Sequence, residues 1–252
     1  MKKNKKLLIA GNWKMNGFKK SSLMILNLVK YIKNKKFQNT DILICPPFTI
    51  ADKLSTIAKN SSLMIGAQNC SDKESGAFTG EISPKMLLDI NLDMVILGHS
   101  ERRELYNETN DIVKLKSKNA LKNNLKVIIC VGESLSQKKN GKTLRVIGEQ
   151  LKKSLPEKIS SNNLVIAYEP LWAIGSGLIP INEEIYKVHK YISQKLFEKY
   201  GIKGKRIKIL YGGSVNKKNA EDILSIDFVN GALIGGASLS YKDFKSILDF
   251  CN

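Results

Sequence analysis

The sequence predicts one α/β domain, a (β/α)8 barrel that spans residues 1–252. Eight short apolar runs alternate with longer amphipathic stretches from one end of the chain to the other. Each run is apolar at successive positions, which is typical of parallel strands that are covered on both faces. Neither a linker nor a low-complexity tract divides the 252 residues, a length that suits a closed barrel of eight strands. A doubly wound open sheet fits the same alternation and stays the alternative.

The predicted strands are the apolar runs, most of them rich in β-branched residues. They are Leu7–Gly11, Ile42–Cys45, Leu63–Ala67, Met94–Leu97, Val127–Val131, Leu164–Tyr168, Ile207–Tyr211 and Ala232–Gly235. Between the runs, Ile25, Leu28 and Ile32 recur at the spacing of one helix face. Ser83 followed by Pro84 indicates a helix start, with a capping side chain and a proline in the first turn. In either architecture, the functional site is expected beyond the carboxyl ends of the strands.

The net charge of +18 raises the question of a polyanionic partner. Lysines spread along the chain supply most of this charge, whereas arginine, which favours base readout and phosphate clamping, occurs only four times. We therefore expect a lysine-rich solvated surface, no nucleic-acid partner, and a field that helps to gather small anions. An RNA-binding or surface-adhesion role that rests on the charge alone stays open, with salt-sensitive binding as its signature.

The chain shows no feature of a membrane, exported or metal-binding protein. No apolar run reaches the ~20 residues that are needed to cross a bilayer, and Leu7–Ala10 is too short to continue the basic Met1–Lys6 as an export signal. The four cysteines are scattered and the chain has only two histidines, so that neither a zinc site nor a disulfide is expected. We predict a cytoplasmic protein without a membrane partner or a metal.

Polar side chains follow three of the predicted strands. Asn12 and Lys14 share one face of extended chain after the first strand; they suit an anion-holding pair, and a surface lysine is the plainer interpretation. His99 follows the fourth strand and precedes a predicted helix, which suits an acid–base group. His189 lies on a predicted helix at core-facing spacing and is interpreted as structural. Glu169 ends the sixth strand, where partial burial suits a general base.

The segment after Glu169 and the ends of the last two strands complete the candidate site. Residues Pro170–Gly177 form an apolar loop bounded by proline and glycine, which we interpret as a lid with an exposed Leu171–Ile174 that closes and excludes water. Glycine-rich turns at residues 212–214 and 235–237 let backbone amides approach an anion, and this corner of a barrel commonly holds a phosphate.

The strings GNWKMNG, AQNC, SGAFTGEIS, LGHSERR, CVGE, AYEPLWAIGSG, YGGSV and LIGGASL resemble the signatures of the triosephosphate isomerase family and occur in its order. The resemblance, from about residue 8 to residue 240, implies a TIM barrel that interconverts dihydroxyacetone phosphate and glyceraldehyde 3-phosphate without a cofactor, in glycolysis and gluconeogenesis. It implies that Glu169 transfers the proton between C1 and C2 and that a neutral His99 polarises the carbonyl. Lys14 and Asn12 would stabilise the developing negative charge.

The resemblance also implies where the phosphate is held. The backbone amides of Gly175, Ser214, Gly235 and Gly236 would bind it, with the Gly175 contact forming as the lid closes. The lid would consist of Pro170, Leu171, Trp172, Ala173, Ile174, Gly175, Ser176 and Gly177. Another phosphate-binding (β/α)8 enzyme, such as a sugar-phosphate isomerase or synthase, would share the two glycine turns but not the four catalytic residues.

Further residues are assigned by the same resemblance to support and assembly. Ser100 and Glu101 would support the site, and Cys130 would pack behind it. The loop at residues 76–80 resembles one that reaches into a neighbouring subunit near Asn12, which implies a homodimer. The expected contacts between subunits are Gly76, Phe78 and Thr79.

Overall fold

Eight parallel strands follow one another around a closed barrel in the computed structural model, which describes residues 5–159, 162–174 and 178–251. The strands are β1 Leu7–Asn12, β2 Thr40–Cys45, β3 Leu63–Ala67, β4 Met94–Leu97, β5 Lys126–Val131, β6 Leu164–Tyr168, β7 Lys208–Tyr211 and β8 Gly231–Ile234. The first strand pairs with the last, from Leu8 opposite Gly231 to Gly11 opposite Ile234. This pairing closes the sheet, so the predicted barrel is confirmed and the open-sheet alternative is wrong.

Helices surround the barrel and lead from the end of one strand to the start of the next. They are α1 Ser22–Lys35, α2 Phe48–Ala58, α3 Pro84–Asp89, α4 Ser100–Leu105, α5 Asn110–Lys122, α6 Leu135–Lys139, α7 Thr143–Ser154, α8 Asn182–Tyr200, α9 Ala220–Ser225 and α10 Tyr241–Leu248. The predicted start of α3 is confirmed, because the Ser83 hydroxyl accepts a hydrogen bond from Met86 N at 3.3 Å. In the described part of the chain, none of these helices is both long and apolar enough to span a bilayer.

Alternate residues of each strand belong to two different layers of the core. In β1, Leu8 and Ala10 point into the barrel, where they pack with residues such as Leu43 and Ile96. Their neighbours Leu7 and Ile9 pack on the other face, in the layer between the sheet and the helices. Because both layers exclude water, strand residues are apolar at successive positions rather than at every second one, except near the strand ends.

The predicted strand bounds differ from the observed ones by two residues at most. The strands β2 and β5 begin earlier than predicted, with the polar Thr40 and Lys126. The strand β8 begins at Gly231, whose φ of +138° lies in the region that favours glycine. A Cβ atom at this position would lie 1.8 Å from the Leu8 carbonyl oxygen. Glycine is therefore required where β8 meets β1 and the barrel closes.

Candidate active site

A cavity of about 380 Å³ opens at the carboxyl ends of the strands. This volume is in the range of small-molecule sites. Eight of the predicted site residues line it together: Asn12, Lys14, His99, Glu169, Ile174, Ser214, Gly235 and Gly236. They come from the ends of β1, β4, β6, β7 and β8, so the closure of the barrel is what brings them to one place.

Lys14 reaches the cavity from a left-handed backbone conformation with a φ of 54°. Such a conformation costs a non-glycine residue roughly 1–2 kcal/mol, and two side chains hold it. Lys14 N donates to Asn12 Oδ1 at 3.1 Å, and Gln68 Nε2 donates to Lys14 O at 2.9 Å. The Lys14 ammonium pairs with Glu101 Oε1 at 2.5 Å. The amide oxygen of Asn12 is engaged by Lys14 N. The amide nitrogen of Asn12 is therefore left to contact a bound molecule, and it does so as a hydrogen-bond donor.

His99 caps the first turn of α4 with its imidazole ring. Its Nδ1 accepts a hydrogen bond from Glu101 N at 3.2 Å. An Nδ1 that accepts carries no proton, so the proton of the neutral ring lies on Nε2. The Nε2 atom faces the cavity side of the ring and lies 3.1 Å from Glu169 Oε1. The helix start therefore fixes both the orientation and the tautomer of His99.

Glu169 follows β6 directly, and only 2% of its surface is exposed. Its Oε2 accepts a hydrogen bond from Ser100 N at 3.1 Å, and its Oε1 faces His99. Behind it lies Cys130, where burial and the nearby Glu169 carboxylate raise the pKa of the thiol well above its ordinary value. At Gly132, an added Cβ atom would lie 1.7 Å from the Glu169 carbonyl oxygen. The backbone that carries the Glu169 carboxylate is thus packed closely against Gly132 and is held in place by it.

The first half of the predicted lid packs down onto the protein. Trp172 Nε1 donates to Glu133 Oε1 at 3.0 Å, and Lys138 Nζ lies 3.6 Å from the centre of the Trp172 ring. Ala173 is buried, and the other residues of Leu171–Ile174 are half-buried. The prediction of an exposed Leu171–Ile174 is therefore wrong, because the Trp172 side chain contacts Glu133 and Lys138 and the segment packs down with it. The predicted lid residues 175–177, including the proposed phosphate contact Gly175, lie outside the described residues.

The turns after β7 and β8 form the other wall of the cavity. The backbone amides of Ser214, Gly235 and Gly236 donate to no acceptor in the part of the chain that the structure describes. The Ser214 hydroxyl donates to Ala173 O at 2.7 Å, which ties this turn to the lid. A Cβ atom at Gly236 would meet nothing within 4 Å, so the space beside these amides is open. Three unpaired donors that face an open cavity suit an anion such as a phosphate.

The remaining predicted residues lie outside the cavity wall. Ser100 and Glu101 support it through Glu169 and Lys14, as described above, and Cys130 lies beneath Glu169. The three residues expected to contact another subunit lie in the exposed loop between β3 and α3, away from the cavity of their own chain. They are Gly76, Phe78 and Thr79.

Three supporting residues were not found from the sequence. Gln68 Nε2 joins β1 to β2 by donating to Lys14 O and to Cys45 O, both at 2.9 Å. Arg103 joins the ends of β4 and β5, since its guanidinium donates to Gly98 O at 2.7 Å and to Cys130 O at 3.1 Å. Glu133 anchors Trp172. Gln68, Arg103 and Glu133 lie inside the quoted strings, but only their contacts show what they do.

The fold and this cavity define a (β/α)8-barrel enzyme whose site combines a carboxylate, an imidazole and an ammonium with an anion-binding corner. Residues 7–251 match the family model described as triosephosphate isomerase. The chain is 43% identical over 240 residues to the triosephosphate isomerase of Rhizobium meliloti, covering 95% of this chain and 94% of the relative. It is also 43% identical over 250 residues to that of Alkaliphilus oremlandii, covering 98% and 100%.

A solved structure gives the same result. The crystal structure of triosephosphate isomerase from Bartonella henselae superposes with a TM-score of 0.90 at 40% identity, covering 97% of this chain and 98% of that one. The chain therefore belongs to the triosephosphate isomerase family and is an isomerase.

Proposed function

We propose that the residues gathered in the cavity carry out the reaction of this family, the interconversion of dihydroxyacetone phosphate and D-glyceraldehyde 3-phosphate through an enediolate. The observation that carries this proposal is the convergence of Glu169, His99 and Lys14 on one cavity. No metal or cofactor enters the proposed steps, since each step transfers a proton between substrate and side chain.

Glu169 is the proposed general base. It removes a proton from C1 of dihydroxyacetone phosphate and returns it to C2, and the carbonyl oxygen gains the negative charge in between. Its present contacts with Ser100 N and His99 Nε2 involve both carboxylate oxygens. Productive binding therefore requires the carboxylate to exchange a contact with its neighbours for one with the substrate C1–H.

His99 and Lys14 are the proposed stabilisers of the enediolate oxygens. The proton on His99 Nε2 faces the cavity and can be donated to the carbonyl oxygen, so that a neutral imidazole acts as the acid. The same nitrogen then takes the proton of the C1 hydroxyl, which restores the ring and leaves the aldehyde. The Lys14 ammonium and the Asn12 amide supply positive charge and a donor from the β1 side. The pair between Lys14 and Glu101 holds the ammonium in place without burying it completely, since 28% of the Lys14 side chain stays exposed.

The amides of Ser214, Gly235 and Gly236 are the proposed phosphate site, together with Gly175 once the lid closes. Their free donors and the open space beside them support this assignment. The hydrogen bond from the Ser214 hydroxyl to Ala173 O links phosphate site and lid, so that phosphate binding and lid position are coupled through one side chain.

The test measures isomerisation of glyceraldehyde 3-phosphate in a coupled assay, which also separates this reaction from that of other phosphate-binding barrel enzymes. Positioned base catalysis supplies ~10²–10⁴-fold, so we expect Glu169→Ala to lower kcat by at least ~10²-fold. Loss of one oxyanion donor costs ~10²–10³-fold, and Lys14→Ala is expected to raise KM as well. Glu221→Ala, an exposed carboxylate on α9, is the matched control. Near-normal turnover of either site variant would refute its role.

The proposed assembly is a homodimer, and the proposed location is the cytoplasm, where the enzyme serves glycolysis and gluconeogenesis. Met15 is 97% exposed beside the catalytic Lys14, and Phe78 in the 76–80 loop is 44% exposed. Apolar side chains this exposed, one beside the site and one in the 76–80 loop, suit a contact surface. We expect Thr79→Asp to yield monomers of low activity in sedimentation experiments, whereas Ser136→Asp on α6 stays dimeric; a fully dimeric, active Thr79→Asp variant would contradict the arrangement.

A further inference from the structure

A second cavity lies at the opposite mouth of the barrel, where the strands begin. This basal cavity has a volume of about 320 Å³ and is lined by five charged side chains: Lys6, Asp41, Lys126, Arg206 and Lys208. Its floor is apolar and includes Met64 and Met94. Four cations thus face one carboxylate around a concave surface.

The one carboxylate is already shared between two of the cations. Lys208 Nζ lies 2.6 Å from Asp41 Oδ2 and also donates to Leu7 O at 3.2 Å. Lys6 Nζ lies 3.6 Å from Asp41 Oδ1. In the described part of the chain, Lys126 and Arg206 form neither an ion pair nor a side-chain hydrogen bond. Among the described residues, Arg206 and Lys126 therefore have no directly bonded side-chain partner, and the charge of Lys126 acts on the Asp93 carboxylate only at longer range.

The cations also repel one another. Burial lowers the pKa of Lys208, and the charges of Lys6 and Lys126 lower it further, although Asp41 opposes them. The ammonium of Lys208 is thus held where its charged form is disfavoured. An anion in the basal cavity would offset the repulsion and favour the charged form of Lys208.

The basal cavity is separate from the catalytic one. Lys126 begins β5 and Val131 ends it, and a strand of this length spans roughly 16 Å at about 3.3 Å a residue. The packed layer inside the barrel, which includes Ile96, Ile128 and Leu210, fills the space between the two ends. A molecule in the basal cavity cannot contact the catalytic groups.

We propose that the basal cavity is a second anion site, which binds a ligand with at least two adjacent phosphate groups. Among the side chains that line the cavity, four cations against one carboxylate leave an excess of three positive charges, which favours a diphosphate over a single phosphate. Arg206 offers a planar fork for two phosphate oxygens, and Lys6 and Lys126 offer point charges beside it. This proposal is independent of the catalytic assignments above.

The test measures binding of inorganic diphosphate by isothermal titration calorimetry, with and without saturating substrate analogue to block the catalytic phosphate site. We expect one diphosphate per chain to bind in the presence of the analogue, at least tenfold more tightly than inorganic phosphate. The variant Lys126→Gln/Arg206→Gln is expected to weaken this binding at least tenfold while kcat and KM stay unchanged. Both replaced side chains are exposed, so folding is not at risk.

The matched control is Lys139→Gln/Arg145→Gln, which removes the same two charges from α6 and α7, outside the basal cavity. It should keep the diphosphate affinity of the wild type. Equal weakening by both double variants, or no binding once the catalytic site is blocked, would overturn the proposal. Inorganic triphosphate and ATP then identify the source: equal affinity indicates that the phosphate chain alone is bound, and tighter binding of ATP indicates a nucleotide.

Discussion

His189 makes the stability of the fold depend on pH in a range where few other groups titrate. It is completely buried in α8, and its Nδ1 lies 3.3 Å from the carbonyl oxygen of Phe228. The ring of Tyr168 packs edge-on against it, with 5.9 Å between ring centres. Burial lowers the pKa of His189 to about 3, while the Phe228 carbonyl opposes the shift. The imidazole is therefore neutral in the folded chain at all pH values near neutrality.

The expected magnitude follows from linkage between protonation and folding. In the unfolded chain the pKa of a histidine is about 6.5, so below that pH the unfolded state binds a proton that the folded state excludes. The contribution of the neutral His189 to the free energy of unfolding is fully present above pH 6.5. It falls as the pH is lowered toward 3, by about 1.4 kcal/mol for each pH unit. Between pH 7 and pH 5, His189 should thus lower the free energy of unfolding by about 2 kcal/mol. The change requires only that the folded pKa lies well below 5.

The measurement compares urea unfolding of the wild type and of His189→Gln at pH 7 and pH 5, at one fixed protein concentration. Glutamine can donate to Phe228 O but does not titrate, so the variant should lack the loss of about 2 kcal/mol. Carboxylates that titrate near pH 5 affect both proteins equally and cancel in the comparison. Parallel losses in the two proteins would show that His189 accepts a proton in the folded state, and the reasoning would fail.

Three further changes test the packing around the site. Gly132→Ala places a methyl group 1.7 Å from the carbonyl oxygen of the proposed base and should abolish activity or soluble expression; normal kinetics would show that β5 can move aside. Lys116→Met removes one of the two cations that, against burial, keep the pKa of Glu108 low, while Arg102 Nε stays 3.2 Å from Glu108 Oε1, and should cost roughly 1.5–3 kcal/mol of unfolding free energy, with Lys118→Met as the exposed control. Ser214→Ala removes the hydrogen bond to Ala173 O and should lower kcat/KM about tenfold. Unchanged kinetics would show that this bond does not couple phosphate binding to the position of the lid.

Much of the fold could be predicted because strand and helix patterns are local. All eight strands were found, since a run such as Ile128–Cys130 is apolar at every position only when both faces are covered. Closure of the barrel was not decided by this alternation. It depends on the contact of β1 with β8, where Gly231 admits the Leu8 carbonyl oxygen, and such a contact between distant segments leaves no local signal.

The site was predicted where a residue stands at the end of a strand or within two residues after it, because the carboxyl ends of parallel strands meet at one edge. Asn12, His99 and Glu169 satisfy that rule and line one cavity. The supporting contacts were missed, since Gln68 acts through backbone oxygens of other strands. The lid was predicted as exposed because its composition does not reveal that Trp172 donates a hydrogen bond to Glu133.

A single turn at the start of α4 sets the alignment of the whole catalytic centre. Three consecutive residues act on three different groups: His99 presents its own ring, the amide of Ser100 holds Glu169, and the carboxylate of Glu101 holds Lys14. Any rotation of this tripeptide displaces the base, the acid and the cation at once. A change in the length of the β4–α4 connection should therefore impair the base, the acid and the cation together. A change in the length of a loop that contacts none of these groups should not.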